Sequence, residues 1–155
     1  SGVGPILATD VLPHRVEAAR ASGADDTRLT RLDGQPDDVA DWGPVDVAFE
    51  VAGEEAALET ALHTVRPGGR VVVVGTPPSD RHSFEASLAR RKGLTISLLM
   101  RPKAHHMLRA IELVDDGAVD LSGIITERFA LSEGPAAFEA LARRGGLKIV
   151  VKPSE

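Results

Sequence analysis

The sequence predicts an α/β fold with a doubly wound parallel sheet. Three observations carry this. Short runs of branched apolar residues recur at 5–10, 45–51, 70–75 and 94–99, as strands buried in a parallel sheet should. Segments with helical apolar spacing separate them. The unit from 45 to 75 reads strand, helix, strand, which is right-handed almost without exception.

The elements follow in order. Pro5-Ile6-Leu7-Ala8-Thr9-Asp10 is a strand that ends on an acid. Pro13 suits the first turn of the helix after it. Val16 and Ala19 share a face of that helix, and Gly23 closes it. Residues 27–30 form a weaker strand candidate. Residues 33–41 are polar, with Gly34 and Pro36, and read as a loop plus a short helix. The helix at 54–65 carries Leu58, Ala61, Leu62 and Val65 on one stripe, with Glu54 and Glu55 in a first turn whose dipole favours them. Pro67-Gly68-Gly69 ends it. The four consecutive valines of 70–75 require a strand buried on both faces. A loop with two prolines spans 76–82, a short helix 84–91 and a strand 94–99. Ala104, Met107, Leu108, Ile111 and Val114 make a second helical stripe. A strand at 124–129, a helix at 136–143 entered through Pro135 and a strand at 147–151, ended by Pro153, complete the alternation.

Composition narrows the function. With 155 residues, 43% of them hydrophobic and 26% charged, the chain can bury a real core. A net charge of -5 disfavours nucleic acid and anionic membranes as partners. There is no cysteine, which excludes disulfides and cysteine-ligated zinc. No apolar run approaches the ~20 residues that span a bilayer, and no signal peptide is visible, so the cytoplasm is the expected location.

Asp10 is the first candidate for chemistry. An acid at the end of the second strand of a dinucleotide fold accepts hydrogen bonds from both ribose hydroxyls of an adenosine. It repels a 2′-phosphate and so favours NAD over NADP. Its simpler role would be to cap the next helix.

Taken in order, the motifs resemble the medium-chain dehydrogenase/reductase superfamily, most closely its zinc-dependent sorbitol (polyol) and alcohol dehydrogenases. They are Ala8-Thr9-Asp10 with Arg15 following, Gly23-Ala24-Asp25, Phe49-Glu50-Val51-Ala52-Gly53, Arg66-Pro67-Gly68-Gly69 running into Val71-Val72-Val73-Val74-Gly75, and the closing Gly146-Leu147-Lys148-Ile149-Val150-Val151-Lys152. The resemblance implies a Rossmann-like sheet that lacks the first strand and the glycine-rich turn. Gly2-Val3-Gly4-Pro5 is not that turn, because a strand ending in Asp10 follows with no room for the intervening helix. The chain then corresponds to the C-terminal, nucleotide-binding part of a dehydrogenase. Residues 1–120 would be a partial dinucleotide-binding domain, and 121–155 a segment that in the family returns to the catalytic domain.

The same resemblance assigns residues. Asp10 and Arg15 would meet the adenosine ribose. Val74, Gly75 and Thr76 would approach the nicotinamide, where Gly75 lets the backbone come close. Leu99, Met100 and Arg101 would line the nicotinamide pocket, and Arg101 would also face the substrate. Pro102 replaces a tyrosine of the polyol enzymes. NAD is the expected cofactor, with zinc expected only in the catalytic domain. The expected partners are a small alcohol or polyol and a second copy of the chain, paired through the strand from Leu94 to Leu99. No catalytic or metal-binding residue is expected here. His14, His63, His82, His105 and His106 are read as structural or surface residues. His105 and His106 point about 100° apart on a helix and cannot share a metal in the usual i, i+4 manner.

Two alternatives stay open. Arg66-Pro67-Gly68-Gly69-Arg70-Val71 also resembles adenosylmethionine-dependent methyltransferases, whose second strand likewise ends in an acid. A non-catalytic nucleotide-binding or assembly module is the other.

Overall fold

A computed structural model describes residues 4–31, 36–79, 81–99 and 101–153. They form two compact units, Ser1–Met100 and Arg101–Glu155. The division between the two units falls before the helix at 104.

Among its described residues the first unit contains five strands. β1 (Leu7–Asp10) leads through α1 (Pro13–Ala21) into β2 (Asp26–Leu29), its parallel partner. A 3₁₀ segment, Pro36–Trp42, then leads to β3 (Val45–Glu50). The loop residues 33–35 lie outside the described residues. From β3 the chain runs through α2 (Glu55–Thr64), β4 (Val65–Val73), α3 (Ala86–Lys92) and β5 (Thr95–Leu98). The strands order as β3-β4-β5, all parallel.

The two sheets, β2-β1 and β3-β4-β5, are the two flanks of the 3-2-1-4-5-6 order of a dinucleotide fold. Among the described residues no ladder joins β1 to β3. The central position, that of the first strand, is the one the sequence resemblance lacks.

The core sits on one face of β3-β4-β5. Leu58, Ala61 and Leu62 of α2 pack with Val65, Val71 and Val73 of β4 and with Leu88 and Ala89 of α3. The stripe read at 54–65 thus does what its spacing requires. β4 begins earlier than the valine run, at Val65, and carries Pro67-Gly68-Gly69 within it; the pairing with β3 shifts register between Val45 and Val47 to accommodate them. The valine run is buried at Val71, Val72 and Val73, whereas Val74 is 41% exposed. Lys92 fastens this layer: its Nζ donates to the carbonyls of Leu62, His63 and Val65 as α2 ends. Burial pulls its ammonium below the ordinary lysine range.

The second unit contains α4 (Ala104–Asp115), β6 (Ile125–Ala130), α5 (Gly134–Ala142) and β7 (Lys148–Lys152). β6 and β7 pair in parallel, and α5 packs on both. The closing strand thus has a neighbour within the chain. The apolar stripe of α4 forms as expected, but Met107, Leu108 and Ile111 are all at least half exposed. No described helix is long and apolar enough to cross a membrane.

Candidate functional site

Ligands of open parallel sheets lie beyond the carboxyl ends of the strands. A cleft of about 430 Å³ opens there, at the ends of β4 and β5. Val73, Val74, Gly75, Thr76 and Pro77 line it from β4 and its exit, Leu98 and Leu99 from β5, and His82 and Phe84 from the loop before α3. Its lining mixes apolar side chains, among them Leu98, Leu99 and Phe84, with the polar His82 and Thr76.

Gly75 has a stringent reason to be glycine. Its N–H, like that of Val74, donates to the Glu50 carbonyl, at 3.0 and 2.8 Å. A β-carbon on Gly75 would stand 2.6 Å from Glu50 Oε2 and closer still to the Gly53 nitrogen. Gly53 answers it with a φ of +77°, and a β-carbon there would stand 2.5 Å from the Thr76 carbonyl oxygen. The exits of β3 and β4 therefore lie backbone against backbone beside the cleft.

Of the residues singled out in the sequence, Val74, Gly75, Thr76 and Leu99 line this cleft together. Met100 lies outside the described residues. Arg101 belongs to the second unit and is exposed. Asp10 and Arg15 are not among the residues lining the cleft.

Asp10 is the last residue of β1. Its Oδ1 accepts the Leu12 N–H at 2.9 Å, a turn that leads the chain into α1, and its Oδ2 stands 4.0 Å from Arg15 Nη1. The two side chains are about one-third exposed, at 31% and 33%. Asp10 thus shapes the entry to α1, though not as its N-cap, while one oxygen keeps capacity to accept a further hydrogen bond.

Sequence reasoning assigned no binding role to His82 or Phe84, because nothing in a proline-containing loop signals which residues fold back. His82 is partly buried, and both its ring nitrogens are shielded with no hydrogen-bond partner among the described residues. His105 and His106 lie edge to face at 4.0 Å, and His106 Nδ1 accepts the Lys103 N–H at the start of α4. Among the described residues no three His, Asp or Glu side chains gather to hold a metal ion. Zinc therefore has no site among the described residues.

The model of the family "Zinc-binding dehydrogenase" matches residues 1–116. The chain belongs to this family. It is 31% identical to sorbitol dehydrogenase of Bacillus subtilis, over 99% of this chain and 44% of that protein. It is 33% identical to an alcohol dehydrogenase of Cupriavidus necator, over 98% of this chain and 43% of that one. The chain therefore spans less than half the length of these relatives. Two solved structures share the fold. One is a dehydrogenase from Sinorhizobium meliloti bound to NADP, with TM-score 0.81 and 24% identity over 98% of this chain and 46% of that one. The other is an alcohol dehydrogenase (rspB) of Escherichia coli CFT073 complexed with NADH, with TM-score 0.82 and 19% identity over 97% of this chain and 45% of that one. The fold is that of the Rossmann-like nucleotide-binding domain of medium-chain dehydrogenases, and the relatives are oxidoreductases.

Proposed function

We propose that the chain is the NAD-binding portion of a zinc-type alcohol or polyol dehydrogenase. The observation that carries this is the cleft at the carboxyl ends of β4 and β5, with the bare backbone of Gly75 in its wall. In this reading Val74, Gly75, Thr76 and Leu99 hold the nicotinamide end, with Met100 and Arg101 following in the chain. Asp10 takes the ribose hydroxyls through its freer oxygen, with Arg15 beside it. NAD is favoured over NADP because a carboxylate at that position repels a 2′-phosphate. Bound there, the nicotinamide would accept or give the hydride of a secondary alcohol.

Arg101 is the residue proposed to meet the alcohol or polyol. A zinc of this dehydrogenase class would supply polarisation of the alcohol oxygen, and the described residues offer no ligand set for it. Purified as 155 residues, the chain should therefore bind NADH without oxidising sorbitol, with or without added zinc. Turnover by the isolated chain would refute this assignment.

Self-association through β5 belongs to the same reading. Among the described residues β5 is the last strand of its sheet, bonded to β4 alone. Pairing with a second copy across a two-fold axis would extend the sheet and remove a bare edge. Light scattering at micromolar concentration should give the mass of a dimer; a monomer would count against it. The cytoplasm remains the proposed location.

A further inference from the structure

We propose that Glu50 is a positioning residue of the cleft: it holds the Gly53 turn and the Val74–Gly75 exit of β4 in one fixed arrangement, and so sets the wall against which the ligand lies. The inference rests on the dinucleotide reading for the identity of that ligand.

Glu50 ends β3 and is 2% exposed. Glutamate is almost never so buried unless it is paired. Here no cation pairs with it among the described residues; it binds backbone instead. Its carbonyl accepts the N–H groups of Val74 and Gly75, and its Oε1 accepts the Gly53 N–H at 2.6 Å. One residue thus ties both strand exits. Its Oε2 lies on the Gly75 side, buried and without a hydrogen-bond partner. A buried polar atom left in this state costs stability, and such groups call for an explanation other than packing. The explanation here is reach. Only a side chain of this length places one oxygen on Gly53 while filling the space against Gly75. Held in this way, the exit residues do not have to be ordered when a ligand arrives.

The test uses the 155-residue chain, ¹⁵N-labelled, with two readouts: amide hydrogen exchange and NADH affinity by fluorescence. Glu50→Asp keeps the charge but shortens the side chain, whereas Glu50→Gln keeps the length and the accepting oxygen. Glu50→Asp should speed exchange at Gly53 and Gly75 roughly tenfold relative to Val71, and weaken NADH by about the same factor. Glu50→Gln should stay within about twofold of wild type in both. Leu62→Ala, in the core, should speed exchange throughout β4 without changing NADH affinity. Unaltered exchange at Gly53 and Gly75 in Glu50→Asp would overturn the proposal. So would a Glu50→Gln variant as impaired as Glu50→Asp, which would assign the effect to charge and not to position. If wild type binds no NADH, the dinucleotide reading fails by itself, and the exchange readout still decides whether Glu50 positions the wall.

Discussion

Trp42, the chain's one tryptophan, reports directly on a carboxylate. Its indole N–H donates to Asp26 Oδ2 at 2.5 Å, and the Arg28 guanidinium lies 4.8 Å from its ring centroid. Arg28 also binds both oxygens of Asp41. The Trp42 hydrogen bond, then the Thr27 N–H, hold the Asp26 carboxyl below its ordinary 3.8. The bonded Arg28 lowers Asp41 in the same way. A folded-state pKa below the unfolded value means that the stabilisation is complete above pH 3.8 and is lost as pH falls through the folded value. Trp42 fluorescence should therefore titrate with a midpoint below 3.8, and Asp26→Asn should abolish the step. A midpoint at or above 3.8 would contradict this geometry. Asp41 is exposed and Asp26 about half so, and the effect should therefore shrink in high salt.

At the same scale, Gly75→Ala should cost more than a surface change. The added carbon meets the Glu50 carboxylate and the Gly53 backbone, and neither can retreat cheaply. Destabilisation of about 1–3 kcal/mol in urea melts is expected, together with weakened NADH binding. Val74, Gly75 and Thr76 could be placed at a strand end because a run of valines closed by glycine has few other places in a parallel sheet, whereas Leu99 was singled out only through the family resemblance. His82 and Phe84 were not, because a loop's return path depends on tertiary contacts. Glu50 was visible only as part of a motif; its role rests on burial, which spacing does not show.

Among the elements, α2 and β4 hold the first unit together. Leu62 is fully buried at their interface. Leu62→Ala should therefore cost about 2–5 kcal/mol, whereas Val74→Ala, at a half-exposed position, should cost well under 1 kcal/mol. Lys92→Met should cost about 1–2 kcal/mol, since it leaves three carbonyls near the end of α2 without their donor. Urea denaturation checks all three; a Lys92→Met variant as stable as wild type would show that water replaces the ammonium. The apolar stripe of α2 was readable from a single turn-by-turn pattern. Lys92 was not, because its partners lie 27 to 30 residues away and no local signal links them.

For the molecule as a whole, the separation of β2-β1 from β3-β4-β5 is the principal feature. Val47, Phe49 and Val51 alternate along the β3 segment, so they share one face of the strand, and they are 42%, 66% and 65% exposed. A chain folded around such an interruption should be of modest stability alone. Its melting temperature should lie below ~65 °C, the upper end of ordinary mesophile domains, unless partner contacts hold it. Reversible melting of a monomer above that temperature would contradict this reading. Each βα unit is local and so could be read from the sequence; the exposure of the row on β3 depends on what packs over the sheet, which no local pattern shows.

The most direct test of the central claim is a titration of the ¹⁵N-labelled chain with NADH, and separately with adenosylmethionine, followed residue by residue. Binding of NADH at the ends of β4 and β5 predicts that the amides of Val74, Gly75, Thr76 and Leu99 shift with NADH, and that those of Thr9, Asp10 and Leu12 move with them. Shifts at these residues with adenosylmethionine but not with NADH, or with neither, would contradict it.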